Sequence, residues 1–453
     1  MYLLYTCLTA LGAILLLPYF VFERWRRDKH FHGLRERLGY LPPPLKTGGQ
    51  AGSLWIHAVS VGEVLAVTEL ARHLKQQYPG LRLLVSTTTA TGQALARQRL
   101  TFAEAIFYFP FDWPGAVRRT FDAVTPRIVL IVETEIWPNF LREAARRGVP
   151  VVFVNGRISE RSFVRSRRWL PLAGGFLRRV LAGARLFLMQ SEADAERVVG
   201  LGADPGRVEA LGNLKYDVAP PAAGPLVNWL AGRVQASGEA SRRAVLVAGS
   251  VVAGEEALVA EAFRKVLQKF PGALLVLAPR KPERFEPAAA LLVQAGLRFV
   301  RRTQLDLSRA LETGTQVLLL DTVGELAALY RVADVAFVGG SLVPAGGHNV
   351  LEPAWFGKAP LFGLHMENFR EMARQFVAET AGIQVASSAD LAQRCIELLE
   401  NPGRGEQMGR AARLLVERNR GATERTLARI SHVLDEQEAM HTPAQRVDAG
   451  RAG

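Results

Sequence analysis

Short apolar runs alternate along this chain with segments whose apolar residues recur every three or four positions. Residues 53–59 form the first run, and Val64, Val67, Leu70, Ala71 and Leu74 follow at helical spacing. The pattern predicts a strand at 53–59, a tight turn at Ser60-Val61-Gly62-Glu63 and a helix over 64–77. The same alternation predicts strands at 81–86, 105–110, 127–132, 149–154, 186–189 and 208–211. A second series predicts strands at 244–248, 274–277, 317–320 and 335–338, then an amphipathic helical stretch at 405–437. Strand–loop–helix alternation of this kind predicts parallel, doubly wound sheets that bind ligands at the carboxyl ends of their strands.

Between the two series, residues 218–225 are rich in Pro and Ala, the composition of a linker. The expected architecture is α/β. A first Rossmann-like domain covers 25–217, a linker 218–243, a second Rossmann-like domain 244–437 and a frayed tail 438–453, with the two domains facing a cleft. The start of the chain stands apart. Residues 2–22 are almost wholly apolar and uncharged, and Arg24, Arg26, Arg27 and Lys29 follow. A helix of that length spans roughly 30 Å, about one hydrocarbon core. The expectation is a transmembrane anchor at 1–24, with the body of the protein cytoplasmic by the positive-inside rule. A helix lying in the membrane interface is the alternative.

Composition narrows the partners. The chain of 453 residues is 49% hydrophobic and 22% charged, so it is globular. Its net charge of +13 calls for an anionic partner, whether a phosphorylated substrate, an anionic membrane or a nucleic acid. Nucleic acid is disfavoured, because no helix-turn-helix, zinc or RNA-binding signature accompanies the charge. Arg161, Arg165, Arg167 and Arg168 are interleaved with Phe163 and Trp169, which suits a phosphorylated or membrane-bound acceptor. The plainer reading is a solvated helix face. Cys7 and Cys395 lie far apart and make no disulfide framework. No P-loop and no zinc-type Cys/His spacing occurs.

Several strand ends carry chemistry. Gly339-Gly340-Ser341 to Gly346-Gly347-His348-Asn349-Val350-Leu351-Glu352 is a glycine-rich strand-to-helix loop. Glycines let backbone N–H groups approach an anion closely, and Glu352 can accept from ribose hydroxyls. Pro279-Arg280 and Val323-Gly324-Glu325 end two other strands of the same series, and Arg280 suits phosphate or carboxylate. Together these loops resemble a nucleotide-sugar site. In the first series Glu63 opens a helix, where a carboxylate held ionised can take a proton from a hydroxyl. Glu133 and Glu135 end a buried strand, where charge is costly without a purpose. His57 and His348 stand singly beside strands, and a structural role suits either one as well as a catalytic one.

The segments Trp55 to Glu63, Glu133 to Asn139, Gly212-Asn213-Leu214-Lys215-Tyr216-Asp217 and Phe337 to Pro353 resemble, in order, the 3-deoxy-D-manno-octulosonic acid (Kdo) transferases of lipopolysaccharide synthesis. The resemblance implies a GT-B glycosyltransferase of the bacterial inner membrane that moves Kdo from CMP-Kdo to lipid IVA. It implies inversion at the anomeric carbon, with no cofactor and no metal in the site. It makes Glu63 the general base. It assigns CMP contacts to Pro279, Arg280, Val323, Gly324, Glu325, Asn349, Val350, Leu351 and Glu352. Glu133, Glu135, Lys215, Ser250, Arg161 and Arg165 are acceptor or supporting candidates. The chain departs from the family pattern at Val251, Val252 and Lys281, where Thr, His and His are common. A related transferase with another donor, and a non-catalytic lipid-binding scaffold, are the competing expectations.

Overall fold

The computed structural model describes residues 1–27, 33–42, 52–235, 243–312 and 314–441, with the side chains of 16–27, 233–235 and 440–441 outside that description. The chain forms two compact units, Met1–Val218 with Arg420–Gly453, and Ala219–Asn419.

The first unit is built on a seven-stranded sheet. Its strands are β1 (Ser53–His57), β2 (Arg82–Thr87), β3 (Ala105–Tyr108), β4 (Pro126–Val132), β5 (Val151–Gly156), β6 (Leu186–Met189) and β7 (Val208–Ala210), in the order β3-β2-β1-β4-β5-β6-β7. Neighbours pair in parallel, with Trp55 opposite both Leu84 and Val129. Side chains alternate between the faces of a strand, so one apolar run feeds two cores. Trp55, Val129, Ile131 and Phe153 enter one core, and Leu54, Ile56, Ile128, Leu130 and Val152 enter the other. Trp55 anchors the first, ringed by Phe107, Phe109, Phe121 and Phe140 at 5.1–5.8 Å between centroids. The second is covered by the helix Val61–Gln77 through Val64, Val67, Leu70 and Leu74.

The second unit repeats the design. Strands β8 (Val245–Val251), β9 (Leu274–Pro279), β10 (Phe299–Arg301), β11 (Val317–Leu319), β12 (Val335–Val338), β13 (Pro360–Phe362) and β14 (Ile383–Gln384) run β10-β11-β9-β8-β12-β13-β14, all parallel. Leu246, Leu275, Val335 and Phe337 face one core, and Val245, Val247, Val276 and Ala336 the other. In each sheet the strand order reverses beside the first strand. The crevices outside β1/β4 and β8/β12 are therefore the switch points where such sheets take ligands.

Three expectations change. First, residues 420–437 do not complete the second domain. The helical stretch breaks at Gly421 (φ 88°) into the helices Pro402–Arg418 and Ala422–His441. The latter returns to the first unit, where Ala422, Ile430, Val433 and Leu434 pack among the residues of the Leu54 core. Second, residues 219–235 are not free linker. The helix Pro225–Gln235 sinks Leu226, Val227, Trp229 and Leu230 into the core of the second unit.

Third, the transmembrane anchor is not upheld: no helix among the described residues is long and apolar enough to cross a membrane. The helix Tyr2–Arg27 instead lays one face on the first unit. Tyr2 meets Phe176 edge-on at 5.0 Å, Asn139 Nδ2 donates to Thr6 Oγ1 (3.0 Å), and Tyr5 bonds Asp112. Its polar Tyr and Thr positions serve this contact, while Leu4, Leu8, Leu11 and Leu15 form an exposed stripe. The basic segment after Arg27 and the loop at 43–51 lie outside the described residues, as does the tail from 442 on.

Candidate active site

Glu63 lies where β1 gives way to its helix, at the β1/β4 switch point. Ser60 is the N-cap, and the chain reverses so tightly that Glu63 bonds back to the turn. Val59 N–H donates to Glu63 Oε2 (2.7 Å) and the Ser60 hydroxyl donates to Oε1 (2.8 Å). The residue is only 7% exposed. Burial, reinforced by the charge of Glu133, pushes its carboxyl up to about 7 against the pull of those two hydrogen bonds. A base whose pKa sits near neutrality combines a usable ionised fraction with a strong drive to take a proton.

Glu133 ends β4 in the left-handed region (φ 60°), and Asn155 ends β5 likewise (φ 55°). Non-glycine residues hold that conformation at a cost, and such strain gathers at functional sites. Lys215 Nζ stands 3.5 Å from Glu133 Oε1. Burial, then the charge of Glu133, raises the pKa of Glu135. Three carboxylates and one ammonium thus share the sheet's ligand end. Lys215 is placed by a chain of amides from successive strand ends. Leu214 N–H donates to Asn155 Oδ1 (2.9 Å), Lys215 N–H to Asn213 Oδ1 (3.0 Å), and Asn213 Nδ2 to Gln190 Oε1 (2.8 Å). Asn155 stands near the end of β5, and Gln190 and Asn213 follow β6 and β7, a signal present in the sequence without a role attached. Arg161 and Arg165 are exposed on the helix Glu160–Leu181 and make no hydrogen bond or ion pair to this cluster among the described residues. His57 is a core residue. It is fully buried, stacks on Phe109 at 3.8 Å, and is held neutral by burial with a pKa of about 3.

In the second unit, Arg280, His348, Asn349 and Glu352 converge. Burial pushes Glu352 up to about 7, opposed by the charge of Arg280 and a hydrogen bond from Asn349. Burial lowers the pKa of His348, whose Nδ1 lies 2.8 Å from the Gly339 carbonyl, and Arg280 lowers it further. Tyr330 is buried close enough to feel Glu352, and a Cβ on Gly249 would collide with its hydroxyl. Ser250 follows with φ 56°. Arg280 is tied by its backbone, its N–H donating to the Val251 carbonyl (2.8 Å). Val350 and Leu351 are wholly buried, and Pro279 is a buried residue at the end of β9, so none of the three presents surface to a ligand here. Val323 and Gly324 project at the surface beyond β11. The Glu325 carboxylate is already engaged by Arg302 (3.1 Å) and Thr322. Lys281 is exposed with Glu283 at 3.7 Å.

Both sheets and their switch points define the class of two-sheet α/β proteins whose ligands sit at the carboxyl ends of the strands. A UDP-GlcNAc 2-epimerase from Neisseria meningitidis, solved with UDP-GlcNAc, has this fold (TM-score 0.52, 14% identity, covering 81% of this chain and 98% of that one). A family model described as 3-deoxy-D-manno-octulosonic-acid transferase matches residues 32–218. The 3-deoxy-D-manno-octulosonic acid transferase of Haemophilus influenzae is 34% identical over 93% of this chain and 96% of its own length. That of Bordetella pertussis is 37% identical over 89% and 93%. The chain belongs to the 3-deoxy-D-manno-octulosonic acid transferase family, and is a glycosyltransferase.

Proposed function

We propose that this protein transfers Kdo from CMP-Kdo to lipid IVA, with inversion and without a metal, as a GT-B enzyme. The observation that carries this reading is Glu63, a buried carboxyl with a pKa of about 7 at the switch point of the first sheet. In this mechanism ionised Glu63 removes the proton from an acceptor hydroxyl. The hydroxyl oxygen forms its bond to the anomeric carbon as the bond from that carbon to the CMP phosphate breaks, and CMP departs with the electron pair. The second unit serves the donor. Arg280 faces the phosphate, and Glu352 and Asn349 face the nucleoside. Lys215 and the paired carboxylates Glu133 and Glu135 orient the acceptor. The test is mass spectrometry of products from lipid IVA and CMP-Kdo made in situ. Addition of Kdo by the wild type and its loss in Glu63→Ala are expected. Undiminished transfer by Glu63→Ala overturns the base assignment.

A second part of the proposal concerns location. The helix that carries the exposed stripe Leu4, Leu8, Leu11 and Leu15 meets Phe176 of the helix Glu160–Leu181 through Tyr2 and Tyr5, and that second helix exposes Trp169 and Leu172. Arg161, Arg165, Arg167 and Arg168 share it and form no ion pair among the described residues. Apolar side chains beside unneutralised arginines suit the anionic inner leaflet of a bacterial inner membrane. This face would seat the enzyme at its lipid acceptor from the cytoplasmic side without a spanning helix. Flotation of the full chain with vesicles of anionic phospholipid is expected, and failure to float at low salt excludes it.

A further inference from the structure

Three consecutive N–H groups of the glycine-rich loop, those of Gly340, Ser341 and Leu342, point into one concavity. Such nests bind anions, and the sequence suggests a phosphate cradle in this loop. The structure fills the nest from within. Glu255 Oε1 accepts from Ser341 N–H (3.0 Å) and Leu342 N–H (2.8 Å), and Oε2 accepts from Gly340 N–H (2.6 Å) and, more distantly, Val252 N–H (3.3 Å). Glu255 is fully buried. Gly347 N–H is likewise taken, by the Gly340 carbonyl (2.7 Å).

We infer that Glu255 is a positioning residue for the donor, setting the loop that carries His348, Asn349 and Glu352 by occupying its anion nest. The inference rests on the reading of the second unit as the CMP site. Glu255 opens the helix Glu255–Lys269 that follows β8, and the nest follows β12, so one carboxylate clasps the two strand ends that flank the switch point. The fit leaves no slack. A Cβ on Gly339 would come within 2.7 Å of both Glu255 Oε2 and the Ser250 carbonyl oxygen, so the carboxylate and the β8 backbone together require glycine there. The neighbouring Glu256, 1% exposed, holds Arg284 at 2.9 Å beyond β9. Two adjacent buried carboxylates thus brace the loops on which the candidate donor residues sit.

Replacing Glu255 with Gln keeps its shape and turns one oxygen into an NH2 group facing two N–H donors, which leaves those buried donors unpaired. Misplacement of a binding loop by about 1 Å weakens its work by ten- to a hundredfold. Glu255→Gln is therefore expected to raise KM for CMP-Kdo and the calorimetric Kd for CMP by about ten- to a hundredfold, with kcat changed far less. Amide hydrogen exchange over residues 340–347 is expected to quicken in the same variant. A merely structural carboxylate would lower the active fraction and leave KM unchanged, which overturns the inference. So does unaltered exchange over 340–347, whatever CMP does. Should Glu255→Gln fail to fold, Glu255→Asp, with a retracted carboxylate, carries the same expectations. If the wild type itself binds no CMP, the donor reading fails, and the exchange measurement alone decides whether Glu255 sets the loop.

Discussion

At the scale of the residue, Glu63 carries opposed demands on stability and on chemistry. Its folded pKa of about 7 stands above the ordinary 4.5, chiefly through burial. Below pH 4.5 the carboxyl is protonated in both states and imposes no penalty. Between 4.5 and 7 the unfolded chain releases the proton before the folded one does, so stability falls as pH rises through that window. As the proposed base, Glu63 acts in its ionised form, so kcat/KM is expected to rise through the same range. Glu63→Gln removes both effects. Its stability relative to wild type is expected to improve by about 2 kcal/mol between pH 5 and pH 8, read from thermal unfolding at the two pH values. An unchanged difference would mean that Glu63 is not titrating in a buried setting. Because the charge of Glu133 is the second cause of the shift, Glu133→Gln is expected to move the rise of kcat/KM to lower pH. The position of Glu63 is legible in the sequence, since Ser-Val-Gly-Glu after an apolar run is a helix start. Its environment is not. Nothing in the letters around Glu133 or Asn155 announces a left-handed backbone, and Glu255 passes for an ordinary acid in a first turn until its four N–H partners are seen.

At the scale of the element, the apolar runs locate every strand of the first sheet and β8, β9, β11 and β12 of the second. The short strands β10, β13 and β14 escape such a reading: each spans two or three residues, and Arg298, Pro360 and Gln384 interrupt the apolar run around them. The N-terminal helix shows the converse failure. The apolar character of residues 2–22 suggests a span, yet the way polar and apolar side chains are distributed around the helix matters more. Tyr2, Tyr5 and Thr6 seek partners on the first unit, and the leucines face away. Exposed leucines contribute nothing to folding, and each is worth about 1.5–3 kcal/mol when buried. Replacing Leu8 and Leu11 with Ser is therefore expected to leave the unfolding temperature within error and to weaken binding to anionic vesicles more than tenfold. Loss of stability together with intact vesicle binding would place those leucines against protein rather than lipid.

At the scale of the whole molecule, the chain leaves the first unit after Val218 and re-enters it at Arg420. Amphipathic spacing at 405–437 is legible, but periodicity says only that a face must be buried, never against which sheet. The structure ties departure to return. Asp217 accepts from Gly421 N–H (2.7 Å) and Thr423 N–H (2.5 Å), capping the last helix with the residue that precedes the exit. Ile430, fully buried, then packs in the Leu54 core. The first unit's stability must therefore depend on the far end of the chain, and the second unit's must not. Ile430→Ala opens a cavity costing about 2–5 kcal/mol, and a unit of this size loses about 2–4 °C per kcal/mol. The transitions can be told apart in a calorimetric scan, because CMP raises only the unit that binds it. The expected result is that Ile430→Ala lowers the transition insensitive to CMP by roughly 5–15 °C and leaves the CMP-sensitive one in place. Asp217→Ala is expected to lower the same transition by less, in keeping with a lost cap of about 1–2 kcal/mol. A fall confined to the CMP-sensitive transition would assign the last helix to the second unit. A fall of both together would make the two units one cooperative body.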